Sequence, residues 1–204
     1  FIFNMHHIIT DGWSMEIIER EFTLIYEGYR SGKAVELESF PFQYKDFAAW
    51  HNDRLQDPLH KPDSHSFWKR KLEQGITGFI LPGDFTAGRE SGEGAGYRCI
   101  IESDITERIR ALAGYRQTTL FTVIFSVYIL LLSRLSGKQE VACSIIGAGR
   151  EHVSLHPIVG FFVNSIIYDT HVDLKRPFND FLEMVKTETL ELLQHQHYPL
   201  EIVL

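Results

Sequence analysis

Two adjacent histidines, His6 and His7, precede Asp11 and Gly12 in the stretch Met5-His6-His7-Ile8-Ile9-Thr10-Asp11-Gly12-Trp13-Ser14. Histidine titrates close to neutral pH, so a neutral imidazole such as that of His7 can take a proton from an attacking amine or hydroxyl. Asp11 can instead pair with a distant cation and fix the loop. Gly12, at the approach to a helix, leaves its backbone N–H open to a developing oxyanion. Together these residues suit acyl transfer without a covalent enzyme intermediate. No serine or cysteine flanked by elbow glycines is present, which argues against hydrolase-type covalent catalysis. His6, His7 and Asp11 are metal-ligand types too. Adjacent side chains on extended chain point apart, however, and no further ligand stands at a recognised spacing, so no metal is expected.

The elements around this stretch must aim it. Phe1 to Met5 is short and aromatic-rich, which suits a buried strand. From Trp13, apolar residues recur at helical spacing (Met15, Ile18, Phe22, Ile25, Tyr29) as far as Ser31-Gly32, where glycine supplies a stop. The histidines are therefore expected on a loop leaving a strand and entering a helix, a place where α/β scaffolds collect chemistry. Further helices are predicted at 43–51, broken by Asp57-Pro58, and at 63–74, stopped by Gly75. Ser103 or Asp104 is expected to cap a helix carrying Ile105, Ile109 and Leu112. Thr118-Thr119 opens a buried helix that ends at Gly137, and Pro177 starts a last one reaching about Gln194. Strands are predicted at 97–102, at 141–146 and within 161–172, with a turn over 147–150. Residues 83–96 hold five glycines and no apolar periodicity, and read as a linker or mobile loop. Alternating strands and helices give an α/β class.

At 204 residues the chain is long enough for a sizeable core, and its 44% hydrophobic and 23% charged content is that of a globular protein. The net charge of −7 gives no global attraction for nucleic acid or an anionic membrane, and neither is an expected partner. Lys69-Arg70-Lys71 reads as a solvated helix face. Cys99 and Cys143 form no paired motif, so a reducing compartment is expected. With no basic and apolar leader, that expectation is cytoplasmic. The apolar run from Leu120 to Leu132 is too short for a membrane span of ~20 residues. Apolar sequence at both ends suggests a segment of a longer protein, and the surface this would expose predicts self-association.

The opening motif resembles the His-His-x-x-x-Asp-Gly signature of condensation domains from nonribosomal peptide synthetases. These belong to the acyltransferase fold that includes chloramphenicol acetyltransferase. Tyr44-Lys45-Asp46-Phe47-Ala48-Ala49-Trp50 is similar to the family's Tyr-x-Asp-aromatic-Ala-x-Trp. Gly149-Arg150 with Val159-Gly160-Phe161-Phe162-Val163-Asn164-Ser165 resembles its Gly-x-Phe-Val-Asn-Thr block, and His195-Gln196-His197-Tyr198-Pro199-Leu200-Glu201 its His-Gln-x-x-Pro-Phe-Glu. The motifs follow the family order along the whole chain. Asp169 stands where the family block ends in arginine, so a family ion pair there is expected to be missing. His197 replaces an aspartate and Leu200 a phenylalanine. His6 and His7, rather than aspartates, argue against a heterocyclising subtype. Trp13 directly after Asp-Gly argues against an epimerising one.

The resemblance implies two similar lobes with a tunnel between them: 1–80 as the C-terminal part of the first, 81–204 as an incomplete second. It implies His7 as the catalytic histidine, with Gly12 giving backbone near the thioester carbonyl. Asp11 pairs with an arginine expected from an earlier part of the first lobe, outside this sequence. His6, Trp13, Asn164 and Ser165 support the motif or the tunnel. No cofactor is bound directly; donor and acceptor groups arrive on the phosphopantetheine of two peptidyl carrier proteins, with an adenylation domain in cis. Amide formation is the implied reaction. An inert structural or carrier-docking segment, or a free-standing acyltransferase with a soluble acceptor, are the alternatives. His51, His60, His65, His152, His156 and His171 read as scattered surface residues.

Overall fold

Side-chain caps open two of the longer helices. Asp11 accepts the Ser14 N–H at 2.8 Å and so opens α1, Gly12–Arg30. Thr119 accepts the Thr122 N–H at 3.1 Å and opens α5, Leu120–Ser136, which Gly137 ends in the left-handed conformation (φ 67°). The computed structural model describes residues 2–56, 63–76, 78 and 94–203. Its other helices are α2 (Tyr44–Gln56), α3 (Asp63–Glu73), α4 (Ser103–Tyr115) and α6 (Phe178–Gln194). One-turn 3₁₀ helices lie at His7–Ile9, Val153–Leu155 and Leu200–Ile202.

Two strands, β1 (Glu140–Gly147) and β2 (Asn164–His171), pair with each other. They run antiparallel: Val172 N–H bonds Gln139 C=O at 2.7 Å at one end, while Gly147 approaches Ile166 at the other. Ile166, Tyr168 and Thr170 of β2 alternate inward.

The chain forms two compact units. The first comprises Phe1–Glu73, Ile145–Ile166 and His195–Leu204; the second comprises Gln74–Ser144 and Ile167–Gln194. Each is assembled from separated stretches of the chain. In the second unit Ala113, Val123 and Leu182 form a buried cluster flanked by Ile109, Leu112 and Phe178. Phe125 meets Tyr168 edge-on at 4.8 Å, and Tyr168 Oη donates to Glu188 at 2.6 Å. The opposite side of α5 leaves Phe121, Ile124, Tyr128, Leu131 and Leu135 exposed. No single described helix is long and apolar enough to cross a membrane.

Several expectations are corrected. Residues 2–6 and 97–102 form no strand: among the described residues only β1 and β2 share a ladder, and Ile2, Tyr97 and Ile100 are at least 90% exposed. Apolar, β-prone sequence does not make a strand without a partner for its backbone groups. Neither Ser103 nor Asp104 is the cap of α4. Glu102 takes that place with no side-chain cap, and Thr106 Oγ1 donates to its carbonyl at 3.1 Å. The Asp57-Pro58 break and most of the 83–96 linker, like His60, lie outside the described residues. Within those residues Cys99 and Cys143 are free thiols, and burial pushes Cys143 up to about 11.

Candidate active site

His6 and His7 sit on the 3₁₀ turn rather than on an open loop. Extended residues bound it on both sides, His6 with ψ 136° and Thr10 with ψ 152°. Ile9 N–H bonds His6 C=O at 3.2 Å, Thr10 N–H bonds His7 C=O at 3.3 Å, and Ile8 N–H bonds His6 Nδ1 at 3.1 Å. His7 is exposed, and its ring meets Phe161 edge-on at 5.4 Å. Among the described residues neither ring nitrogen of His7 is hydrogen-bonded, which leaves a lone pair free to accept a proton.

The polypeptide turns inward directly after the histidines. Thr10, Asp11 and Ser14 are buried while Gly12 and Trp13 stay on the surface. Asp11 binds Arg150, 139 residues further along this chain, and not an arginine from an earlier part of the first lobe as the resemblance implied. Arg150 Nη2 donates to Asp11 Oδ1 at 3.2 Å and to Ser14 Oγ at 2.9 Å. Its Nη1 donates to the carbonyls of Leu155 and Ile158, each at 2.6 Å. The guanidinium lies 4.0 Å from the Phe162 ring centroid and 5.6 Å from that of Trp13. Asp11 Oδ2 also accepts the Phe162 N–H at 3.0 Å. Burial alone would raise the Asp11 pKa; the hydrogen bonds from Ser14 and Phe162 and the Arg150 charge outweigh it and hold the carboxyl below its usual range. Burial likewise lowers Arg150, opposed by Asp11.

Ser14 is a second feature that sequence reasoning misses. Its Oγ donates to Gly160 C=O at 2.8 Å and accepts Gly160 N–H at 3.0 Å as well as Arg150 Nη2. One hydroxyl thus fills its donor and both acceptor positions and stitches α1 to the segment carrying Phe161. Glycines permit these approaches. A Cβ on Gly160 would collide with the Tyr44 ring, and one on Gly149, whose φ is 65°, with the Phe162 carbonyl. Around Gly12 a Cβ would meet nothing within 4 Å, so its backbone remains open to close approach.

The remaining motifs are brought to the same unit. Tyr44 Oη donates to Phe161 C=O at 2.7 Å, and Phe47 packs on Phe162 at 4.8 Å between ring centroids. Trp13 Nε1–H donates to His156 C=O at 2.9 Å. Asn164 Nδ2 is committed to the Gln196 and Tyr198 carbonyls at 2.8 and 3.1 Å, whereas Ser165 is exposed on β2. His51 and His65 are not free surface residues. His51 Nε2 bonds His197 C=O at 2.9 Å, and His65 Nδ1 bonds Tyr198 Oη at 2.8 Å. Burial lowers the His51 pKa. A cavity of about 400 Å³ is walled by Phe47, Trp50, His51, Phe161, Asn164 and His197, so Phe161 touches both it and His7. The described residues contain no group of three or more His, Cys, Asp or Glu able to hold a metal.

A sequence profile described as "Condensation domain" matches residues 1–204. The chain is 33% identical to tyrocidine synthase 3 of Brevibacillus parabrevis over 202 residues, covering 98% of this chain and 3% of that protein. It is 34% identical to gramicidin S synthase 2 of Aneurinibacillus migulanus over 203 residues, covering 98% of this chain and 4% of that one. The chain thus spans a few per cent of the curated relatives it matches. The first condensation domain of the CDA synthetase superposes with TM-score 0.78 at 19% identity, covering 96% of this chain and 43% of that one. The four-domain nonribosomal peptide synthetase AB3403 gives TM-score 0.81 at 23% identity, covering 98% and 15%. A surface imidazole on a turn anchored by a buried aspartate, ordered motifs gathered around it, and this profile match over the full sequence together place the chain in the condensation-domain family, with its chloramphenicol acetyltransferase-like α/β fold.

Proposed function

We propose that the protein containing this chain joins two carrier-bound acyl groups through an amide bond, with His7 as the group that handles the proton. The observation carrying this reading is an exposed imidazole whose ring nitrogens have no hydrogen-bond partner among the described residues, on a turn whose following residues are locked by Asp11, Ser14 and Arg150. The amine of a carrier-bound aminoacyl group attacks the carbonyl carbon of a donor thioester. A C–N bond forms, the C–S bond breaks, the amine proton passes to a ring nitrogen of His7, and His7 hands that proton to the departing thiolate of the donor arm, which returns the imidazole to its neutral form. A free lone pair on an imidazole nitrogen is what that proton transfer needs. The open surface at Gly12 lets the developing oxyanion reach backbone N–H groups at the start of α1.

Both substrates belong, on this reading, to phosphopantetheine arms of donor and acceptor peptidyl carrier proteins, with an adenylation domain in the same synthetase and the assembly in the cytoplasm. Separated from the rest of its synthetase, the 204-residue chain is expected to self-associate through the apolar side of α5, detectable by light scattering. The test of the reaction is His7→Ala in the full-length synthetase, with the amide product on the acceptor carrier measured by mass spectrometry. Loss of about a hundredfold or more is expected; undiminished product would remove His7 from the mechanism.

A further inference from the structure

We propose that His6 is a positioning residue, acting through the lone pair on Nδ1 to cap the turn that presents His7. The inference deepens the proposed amide-forming reading and rests on it for its kinetic arm only. Ile8 N–H, the donor immediately after His7, lies 3.1 Å from His6 Nδ1. The same residue's carbonyl accepts Ile9 N–H at 3.2 Å, so His6 supplies two of the acceptors that close this single turn. A one-turn helix has almost no cooperative stability of its own, so its orphan donors decide whether it holds its shape.

This bond fixes the chemistry of the first imidazole. An Nδ1 that accepts cannot carry a hydrogen, so neutral His6 must be protonated on Nε2. Such a ring has no lone pair left to offer a substrate. Of two adjacent imidazoles, only His7 can then accept a proton. The device recurs on the segment that grips Arg150. His152 Nδ1 accepts the Ser154 N–H at 3.2 Å and caps the Val153–Leu155 turn, whose Leu155 carbonyl takes the Arg150 guanidinium. An imidazole bonding the N–H two residues onward thus starts both short turns flanking the Asp11–Arg150 pair.

Two substitutions separate a cap from any other use of the ring. In His6→Asn, Oδ1 stands where Nδ1 stood, and asparagine is a strong helix-capping residue. In His6→Gln, the polar atoms reach about as far as Nε2, beyond the cap position. In the full-length synthetase, His6→Asn is expected to keep kcat within about threefold. His6→Gln and His6→Ala are expected to lower it about ten- to a hundredfold, through misplacement of His7, with KM for both loaded carriers little changed. Glutamine equal to or better than asparagine would overturn the proposal, as would asparagine as poor as alanine. Nitrogen NMR of the histidine-labelled protein gives an arm independent of activity. The His6 ring is expected as the Nε2–H form with an acceptor Nδ1, and this signal would persist even if His7→Ala left amide formation intact. A His6 protonated on Nδ1 at neutral pH would sink the inference whatever the kinetics.

Discussion

Asp11 Oδ1 and Arg150 Nη2 meet at 3.2 Å across 139 residues of sequence, with both side chains almost fully shielded from water. A buried ion pair need not stabilise a fold more than apolar residues of the same volume would, because removing both charges from water costs several kcal/mol. What this pair does is directional. Asp11 caps α1 and holds the Phe162 N–H, while Arg150 reaches Ser14 and two carbonyls. The turn carrying His7 and the segment bearing Phe161 are thereby fixed to one another.

Breaking the pair from one side is expected to cost more than removing it. Arg150→Met should destabilise the intact domain by ~3–5 kcal/mol, since Asp11 is left charged and buried. Adding Asp11→Asn should recover part of that loss, giving a coupling of at least about 1 kcal/mol in a double-mutant cycle by urea unfolding. Strict additivity would show that the two side chains do not depend on one another.

The ingredients of this pair were legible in the sequence, but their pairing was not. Asp11 and Arg150 each stood in a recognisable motif, and helix stops such as Gly32, Gly75 and Gly137 were readable because each needs a positive φ that glycine adopts without strain. Which arginine meets Asp11 depends on a chain reversal of 139 residues, and no local periodicity encodes it. The same limit applies to Ser14, whose Gly160 partner lies 146 residues away. The strands expected over Phe1 to Met5 and over 97–102, which the described residues do not form, failed for a related reason. Local apolar pattern reports propensity, whereas a ladder needs a distant partner.

Acid should act on Asp11 in a defined direction. Its pKa is lowered in the fold, so between that value and the unfolded value of ~3.9 the unfolded chain binds more protons and stability rises with pH. The stabilisation is fully present above about pH 4 and is lost as pH falls through the folded value. Asp11→Asn should therefore be less stable than wild type at pH 7, with the gap narrowing below about pH 4. A gap constant from pH 7 to pH 3 in denaturant titrations would exclude this origin.

His51 should give a second dependence, nearer neutrality. Burial lowers its pKa, and its Nε2 must donate to the His197 carbonyl, which can only accept. Stability linked to this imidazole is therefore present above the unfolded histidine value of ~6.5 and falls away as pH drops through the folded one. The side-chain amide of His51→Gln can supply the same N–H without titrating. That variant should match wild type within about 1 kcal/mol at pH 8 and show a shallower loss between about pH 7 and 5. Identical pH profiles would assign the acid sensitivity to other groups.

Tyr44 offers a way to disturb the surroundings of His7 without touching the imidazole. Its hydroxyl donates to the Phe161 carbonyl at 2.7 Å, its ring meets Phe162 edge-on at 5.0 Å, and Phe161 in turn lies against His7. Burial raises the Tyr44 pKa, so the hydroxyl remains a donor throughout the neutral range. Tyr44→Phe keeps the ring packing and deletes one hydrogen bond worth ~1 kcal/mol, leaving a partly buried carbonyl unpaired. The expected global effect is a fall in Tm of a few degrees. The local effect should be larger than that suggests, because the freed main chain belongs to the residue that flanks His7. On the proposed amide-forming reading, kcat of the full-length synthetase is expected to drop about three- to tenfold while KM for the loaded carriers holds. A raised KM with unchanged kcat would instead place Tyr44 in uniform substrate binding, and would disconnect α2 from the orientation of His7.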